Sequence, residues 1–336
     1  MICDPYNRQV LQTALAWRRA GHRVWLCHVL QTWGSAPRHP GAMLALREDG
    51  WLEGSVSGGC IEDDLIQRVQ SGQLPAQISD LHYGVDRADA LRWGLPCGGS
   101  LRLLVEPLLD ENWLVTALDF LSRQQRVVRR LDLASAQTEL IPVTTPALAA
   151  QISADQQSYQ VTLGPDWRLL IIGAAQLARL LVPLAQSCGF SVYLCDPRSE
   201  YQAAWQDSSC QWILQMPDDA VEEFAPDNQS AIVCLAHDPK LDDMALLTAL
   251  KSPAFYVGAL GSLKNSAARR QRLGLFDLSE TEISRLHAPI GINLHSKIPA
   301  EIAIAIMAEI IQKKNALHTG ESITIETQVE SACSLS

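Results

Sequence analysis

Arg168-Leu169-Leu170-Ile171-Ile172-Gly173-Ala174-Ala175-Gln176-Leu177-Ala178 decides the fold of the second half of this chain. A short apolar run meets a glycine and helical spacing follows at once, the opening of a strand–turn–helix unit. Asp196 ends the next apolar run, Ser191–Cys195, at about the distance expected of a ribose-binding carboxylate. Working outward, apolar runs at Gln211–Leu214, Ala231–Ala236 and Ala254–Val257 alternate with helical patterns beginning near Tyr201, Asp218, Pro239 and Leu263. That alternation predicts a parallel, Rossmann-like sheet. A short helix is expected over Glu280–Leu286 and a long one from Pro299. Pro183 is expected to kink the first helix or end it early.

Ligands of such sheets sit at the carboxyl ends of the strands. Those ends carry Gly173, Ala174 and Gln176, then Asp196 with Arg198, His237 with Asp238, and Gly258 with Gly261 and Ser262. The helix after Ser262 brings Lys264, Arg269 and Arg270, and its free N–H groups suit a phosphate. Taken singly, His237 is as readily a packed strand end, and Lys264 a solvated side chain. Against the dinucleotide fingerprint G-x-G-x-x-G/A, one position is wrong. Its second glycine is Ala175, whose methyl group would hold a diphosphate off the backbone, so NAD(P) is the less favoured ligand.

The first half reads as a mixed α+β domain. A helix is expected from Asp4-Pro5 to Gly21, and a buried strand over Val24–Trp33 leads into Gly34-Ser35-Ala36-Pro37-Arg38. Glu48-Asp49-Gly50 turns a hairpin between Ala42–Leu46 and Trp51–Leu52. A second loop follows, Gly54-Ser55-Val56-Ser57-Gly58-Gly59-Cys60-Ile61-Glu62, and opens a helix to about Val69. Arg38 offers a planar fork for a phosphate or carboxylate. Cys60 precedes a helix start, which favours thiolate. Cys97-Gly98-Gly99, before the strand Ser100–Glu106, is a second cysteine beside glycines. Residue chemistry alone favours small buried thiols at turns in both places. A helix over Asn112–Leu121 and strands at Arg126–Leu133, Glu139–Val143 and Tyr159–Leu163 complete this half. The break at Gly164-Pro165-Asp166 divides the chain into 1–164, 165–315 and a polar tail, 316–336, in which Ile323–Val329 could pair as an edge strand.

The chain has 336 residues, 47% hydrophobic and 19% charged, with a formal charge of −10. The acidic balance argues against a general nucleic-acid binder. The apolar segment Ile302–Ile311 is interrupted by Glu309 and is too short to span a bilayer. The N-terminus lacks the blocks of a signal peptide, and nine scattered cysteines without C-x-x-C spacing fit reduced thiols, so a cytoplasmic location is expected.

The sequence resembles the XdhC/CoxI family of molybdenum-hydroxylase accessory proteins. The resemblance rests on Gly34 to Arg38, Gly54 to Glu62, Cys97 to Gly99 with Val105-Glu106-Pro107, and Gly189-Phe190 leading to Asp196-Pro197-Arg198. It continues through His237-Asp238, Tyr256 to Ser262, Leu286 to Gly291 and Pro299 to Ile302. What it implies is a non-catalytic chaperone that transiently binds molybdenum cofactor (molybdopterin). Such a protein would support the cofactor's sulfuration with a cysteine desulfurase and pass it to a xanthine-dehydrogenase-type apoenzyme. Cys60 and Cys97 would then stand near the sulfur or the molybdenum, since thiolates are soft ligands. Gly34, Ser35, Arg38, Gly58, Gly59, Glu62, Gly98 and Gly99, with the second-half positions named above, would hold pterin and phosphate. This chain departs from the family where Gly-Ala-Gly-His becomes Gly173-Ala174-Ala175-Gln176, where a threonine becomes Ala236, and where Asp-x-Gly becomes Asn293-Leu294-His295. Two other readings are an NAD(P)-dependent oxidoreductase and a degenerate scaffold that docks the target enzyme. Exposed apolar positions in the final helix would suit a homodimer.

Overall fold

A computed structural model describes residues 6–33, 38–59, 61–84, 100–143, 150–153, 156–164, 167–205, 210–236 and 238–319. The chain divides into two compact units, Met1–Trp167 with Cys188–Phe190, and Arg168–Ser187 with Ser191–Ser336. The fold is α/β, with antiparallel sheets in the first unit and a parallel sheet in the second.

The first unit holds a five-stranded antiparallel sheet in the order β3-β2-β1-β5-β4. Its strands are β1 (Val24–Trp33), β2 (Met43–Arg47), β3 (Leu52–Gly54), β4 (Ser79–Tyr83) and β5 (Ser100–Pro107). Alternation along β1 and β2 feeds two cores. Leu26, Leu30, Met43 and Ala45 pack towards α1 (Asn7–Arg19) and α3 (Asn112–Ser122). Trp25, Cys27, Val29, Leu44 and Leu46 pack towards Leu65 and Val69 of α2 (Glu62–Gln70). Because both faces are covered, β1 is apolar nearly throughout, as a strand buried on two sides must be. A four-stranded antiparallel sheet, β7-β6-β9-β8, consists of β6 (Arg126–Asp132), β7 (Thr138–Val143), β8 (Gln151–Ile152) and β9 (Ser158–Leu163).

In the second unit six strands form a sheet in the order β12-β11-β10-β13-β14-β15. They are β10 (Trp167–Ile172), β11 (Phe190–Cys195), β12 (Gln211–Ile213), β13 (Ser230–Cys234), β14 (Tyr256–Ala259) and β15 (Leu286–His287). The order reverses between β10 and β13, which is the switch point of a Rossmann-like sheet. Between strands run α4 (Gln176–Ser187), α5 (Ser199–Ala203), α6 (Pro217–Phe224), α7 (Pro239–Ala249), α8 (Leu263–Leu273) and α9 (Glu280–Ser284), and α10 (Pro299–Thr319) closes the unit.

Four local expectations need correction. The first helix begins at Asn7, with Tyr6 at its N-cap; Asp4 and Pro5 lie outside the described residues. Helix α4 does not end early at Pro183 but runs through it to Ser187 and packs along α10, so tertiary contact outweighs the backbone bond that proline forfeits. Leu286 belongs to β15, an edge strand added to β14, and not to the preceding helix. Strands β4 and β8 are additions to the expected set, being short and partly polar. The expected edge strand Ile323–Val329 lies outside the described residues.

Candidate functional site

The glycine loop of the first unit is organised by one carboxylate. Glu62 Oε1 accepts from Ser55 Oγ at 2.7 Å, Val56 N at 2.9 Å and Ser57 N at 3.0 Å. Its Oε2 accepts from Ser57 Oγ, from Gly59 N at 3.0 Å and from Ile61 N at 3.3 Å. Burial alone would raise this carboxyl, but the hydrogen bonds from Ser57, Ser55 and the loop amides hold it at about 2. Arg38 joins the same loop, donating from Nε to Ser55 O at 3.1 Å. The structure therefore brings together Arg38, Gly58, Gly59 and Glu62, as the sequence suggested. Within that group the Glu62 carboxylate is wrapped by its own loop. Gly34, Ser35, Cys60, Cys97, Gly98 and Gly99 lie outside the described residues.

A comparable arrangement closes the first turn of the Rossmann-like sheet. Asp196 is fully buried, and its Oδ2 accepts from Ala174 N at 2.9 Å. Arg198 grips the same carboxylate in a two-pronged pair, at 2.8 Å from Nε and 2.7 Å from Nη2. Burial opposes ionisation here, while Arg198 and the Ala174 N–H lower the carboxyl below its usual range. The turn needs glycine at 173, where φ is +99° and a Cβ would lie 2.6 Å from Ala236 N. Gln176 begins α4.

At the ends of β13 and β14 the predicted residues scatter. His237 lies outside the described residues. Asp238 caps α7 by accepting from Lys240 N. Gly258 lies within the sheet, where a Cβ would strike Ile290 and Tyr256, so its side is filled by packing. Ser262 caps α8 by accepting from Asn265 N at 3.2 Å, and Lys264 is exposed on its first turn. Arg269 is committed inward, to Asp242 at 2.8 Å, Asp243 at 3.1 Å and Leu260 O at 3.0 Å.

Beside this last loop opens a cleft of about 590 Å³, within the size range of small-molecule sites. Its walls come from Leu260, Gly261 and Leu263, from the segment Pro289 to Ser296, and from Glu301, Ile302 and Ala305 on the first turns of α10. The middle segment is pinned on both sides. Ile290 N donates to Ala259 O at 3.1 Å, Ile292 N to Ala305 O at 3.2 Å, and Gly291 N to Glu309 Oε2 at 2.6 Å. Gly291 has φ +90°, and a Cβ there would meet the α10 backbone at 3.0 Å.

Glu309 is the hub behind that wall. Besides Gly291 N it accepts from Tyr256 Oη at 2.6 Å, and its Oε1 lies 2.9 Å from His287 Nδ1. Burial opposes its ionisation, but hydrogen bonds from His287, Tyr256 and Gly291 keep the carboxyl below its usual range. Burial, then the Glu309 charge, pushes the Tyr256 hydroxyl upward. Since an ionised carboxylate only accepts, Nδ1 of His287 carries the proton. The His287 and Tyr256 rings stack at 4.6 Å. Sequence reasoning misses Glu309 and the 289–305 wall as site elements, yet a signal existed. A lone carboxylate interrupting an apolar helix requires partners.

Among the described residues no cluster of His, Cys, Asp and Glu has the arrangement of a metal site, and no helix is long and apolar enough to cross a membrane. Cys27 and Cys195 are buried in the sheets, and burial pushes both thiols up to about 12.

These features define an α/β protein with a Rossmann-like unit, an open cleft at its strand ends, and a carboxylate-bound glycine loop in its other unit. The chain belongs to the XdhC and CoxI family. The family's model matches residues 17–80, and that of the XdhC Rossmann domain matches residues 169–310. It is 26% identical over 307 residues to the molybdenum cofactor insertion chaperone PaoD of Escherichia coli, covering 90% of this chain and 87% of that one. It is 27% identical to a probable xanthine dehydrogenase subunit of Bacillus subtilis, covering 86% of this chain and 92% of the relative. A crystal structure described as a xanthine dehydrogenase from Bacillus halodurans superposes with a TM-score of 0.77 at 24% identity, over 94% of this chain and 98% of that one, and so shares its fold.

Proposed function

We propose that this chain is a cytoplasmic molybdenum-cofactor chaperone. It would bind the cofactor transiently, support its sulfuration with a cysteine desulfurase, and deliver it to a xanthine-dehydrogenase-type apoenzyme. The observation that carries the reading is the nearly end-to-end match to a relative named as an insertion chaperone. Cys60 and Cys97 are the proposed contacts to sulfur or molybdenum. The cleft beside Gly261 is the proposed resting place of the organic part of the cargo. Pairing of two copies through exposed Ile304 and Leu317 of α10 is proposed as well.

An NAD(P)-dependent oxidoreductase is the competing reading, favoured by the strand order of the sheet. Against it stand the Ala175 methyl and the Asp196 carboxylate, which already holds the Ala174 N–H that a diphosphate would need. The test is to purify the protein from cells that make the cofactor and assay molybdenum and pterin in the same sample. Stoichiometric pterin that is lost on Cys60→Ala supports the chaperone. Thermal protection by NADH together with absence of pterin refutes it.

A further inference from the structure

We infer that the cleft between Gly261, Gly291 and Glu301 reads the amino-pyrimidinone edge of a pterin through the Glu301 carboxylate. This deepens the chaperone reading and rests on it. Leu260, Leu263, Ile290, Ile292 and Leu294 supply apolar walls for a flat ring, and three of them remain substantially open: Leu263 at 80%, Leu294 at 48% and Ile292 at 38% exposure. Exposed apolar walls around a pocket favour a ring system over water. Among the described lining residues there is no lysine or arginine, and Glu301 brings the lone carboxylate. That carboxylate takes part in no hydrogen bond or ion pair among the described residues, whereas Glu62, Asp196 and Glu309 are each held by several donors.

A free carboxylate beside an apolar slot selects a ligand edge that donates twice. The 2-amino group and N3–H of a pterin form such an edge, parallel donors matching two carboxylate oxygens as a guanidinium does. An anionic group would be repelled there, so the phosphate and metal end of the cargo must lie away from Glu301. The wall that fixes this geometry is stiff, because Ile290, Gly291 and Ile292 are all hydrogen-bonded by their backbones to neighbouring elements. Guanine shares the same donor edge, and the experiment separates the two sources.

The test titrates the full-length protein with free pterin, following its fluorescence, and compares lumazine, which carries an oxo group where pterin has the amino group. Pterin is expected to bind at least about tenfold more tightly than lumazine, and Glu301→Gln to erase that preference. Leu263→Ala, at an exposed position, is expected to weaken both ligands alike. Equal binding of pterin and lumazine to the native protein, or an unchanged preference in Glu301→Gln, overturns the assignment. Guanosine monophosphate binding more tightly than pterin also overturns it. Failure here is separable from failure of the chaperone reading. Cofactor that still co-purifies at full occupancy with Glu301→Gln leaves the chaperone standing and removes only this site.

Discussion

The loop at 55–61 and the wall at 289–296 are both glycine-containing segments leading towards a helix, yet they use their backbone donors in opposite ways. In the first, four amides and two hydroxyls converge on Glu62, a carboxylate of the chain itself. The loop is an anion cradle already filled from within. In the second, amides are spent on neighbouring backbone and on Glu309 behind the wall, which leaves the front face open beside Glu301, a carboxylate with no partner among the described residues. The turn at Gly173 resembles the first case, with Asp196 as its internal anion. A glycine loop followed by a helix therefore does not by itself indicate a phosphate site. What matters is whether the chain supplies the anion.

The largest effect expected is from removing the internal anion of the first loop. Glu62→Ala strands six donors and should cost ~3–5 kcal/mol, read as a lowered urea midpoint. Glu62→Gln, which keeps one accepting oxygen, should lie between that variant and the native protein. An unchanged midpoint in Glu62→Ala would abolish the contrast between filled and open loops. Gly173→Ala places a methyl group against the Ala236 backbone at positive φ and should cost ~2–4 kcal/mol in the same measurement. Glu309→Ala should cost ~2–3 kcal/mol by releasing Tyr256, His287 and the Gly291 amide. It should also weaken pterin binding, because the cleft wall loses its brace.

Acid provides a finer probe. Glu62 and Glu106 are both held at about 2, below their ordinary 4.5; for Glu106 burial is overcome by Arg129 and His28. The unfolded chain then takes up protons first as pH falls. Stability from these two groups is complete above about pH 4.5 and drains between pH 4.5 and 2. Acid titration of Glu62→Gln should show a shallower loss across that window. The smallest effect concerns Asp196→Asn, which should leave NADH unable to protect the protein against heat, since Ala175 still blocks the diphosphate. Protection appearing in that variant would reopen the dinucleotide reading.

Much of the frame could be read from the residues in order. The strands β10 and β13 are short, buried and mostly apolar runs, and a run of that kind has few other uses in an α/β chain. The helix starts at Pro217, Pro239 and Pro299 carry their own punctuation. β15 was hidden, because two residues carry no period and their place was fixed only by pairing with β14. The sequence also led to Arg38, Glu62 and Asp196, but could not show the bonds they make within the chain, to a carbonyl, to loop amides and to an arginine.

Composition and order alone determined the alternation of strands and helices, the glycine turns and the family resemblance, because each depends on residues close together in the chain. Tertiary structure alone decided which carboxylates are consumed, and that Glu301 has no partner among the described residues. Glu301, Gly261 and Ile292 meet only after β14, β15 and α10 have packed together. Hydrogen-bond satisfaction is settled by that packing, since a donor's partner is whichever acceptor the fold brings within reach.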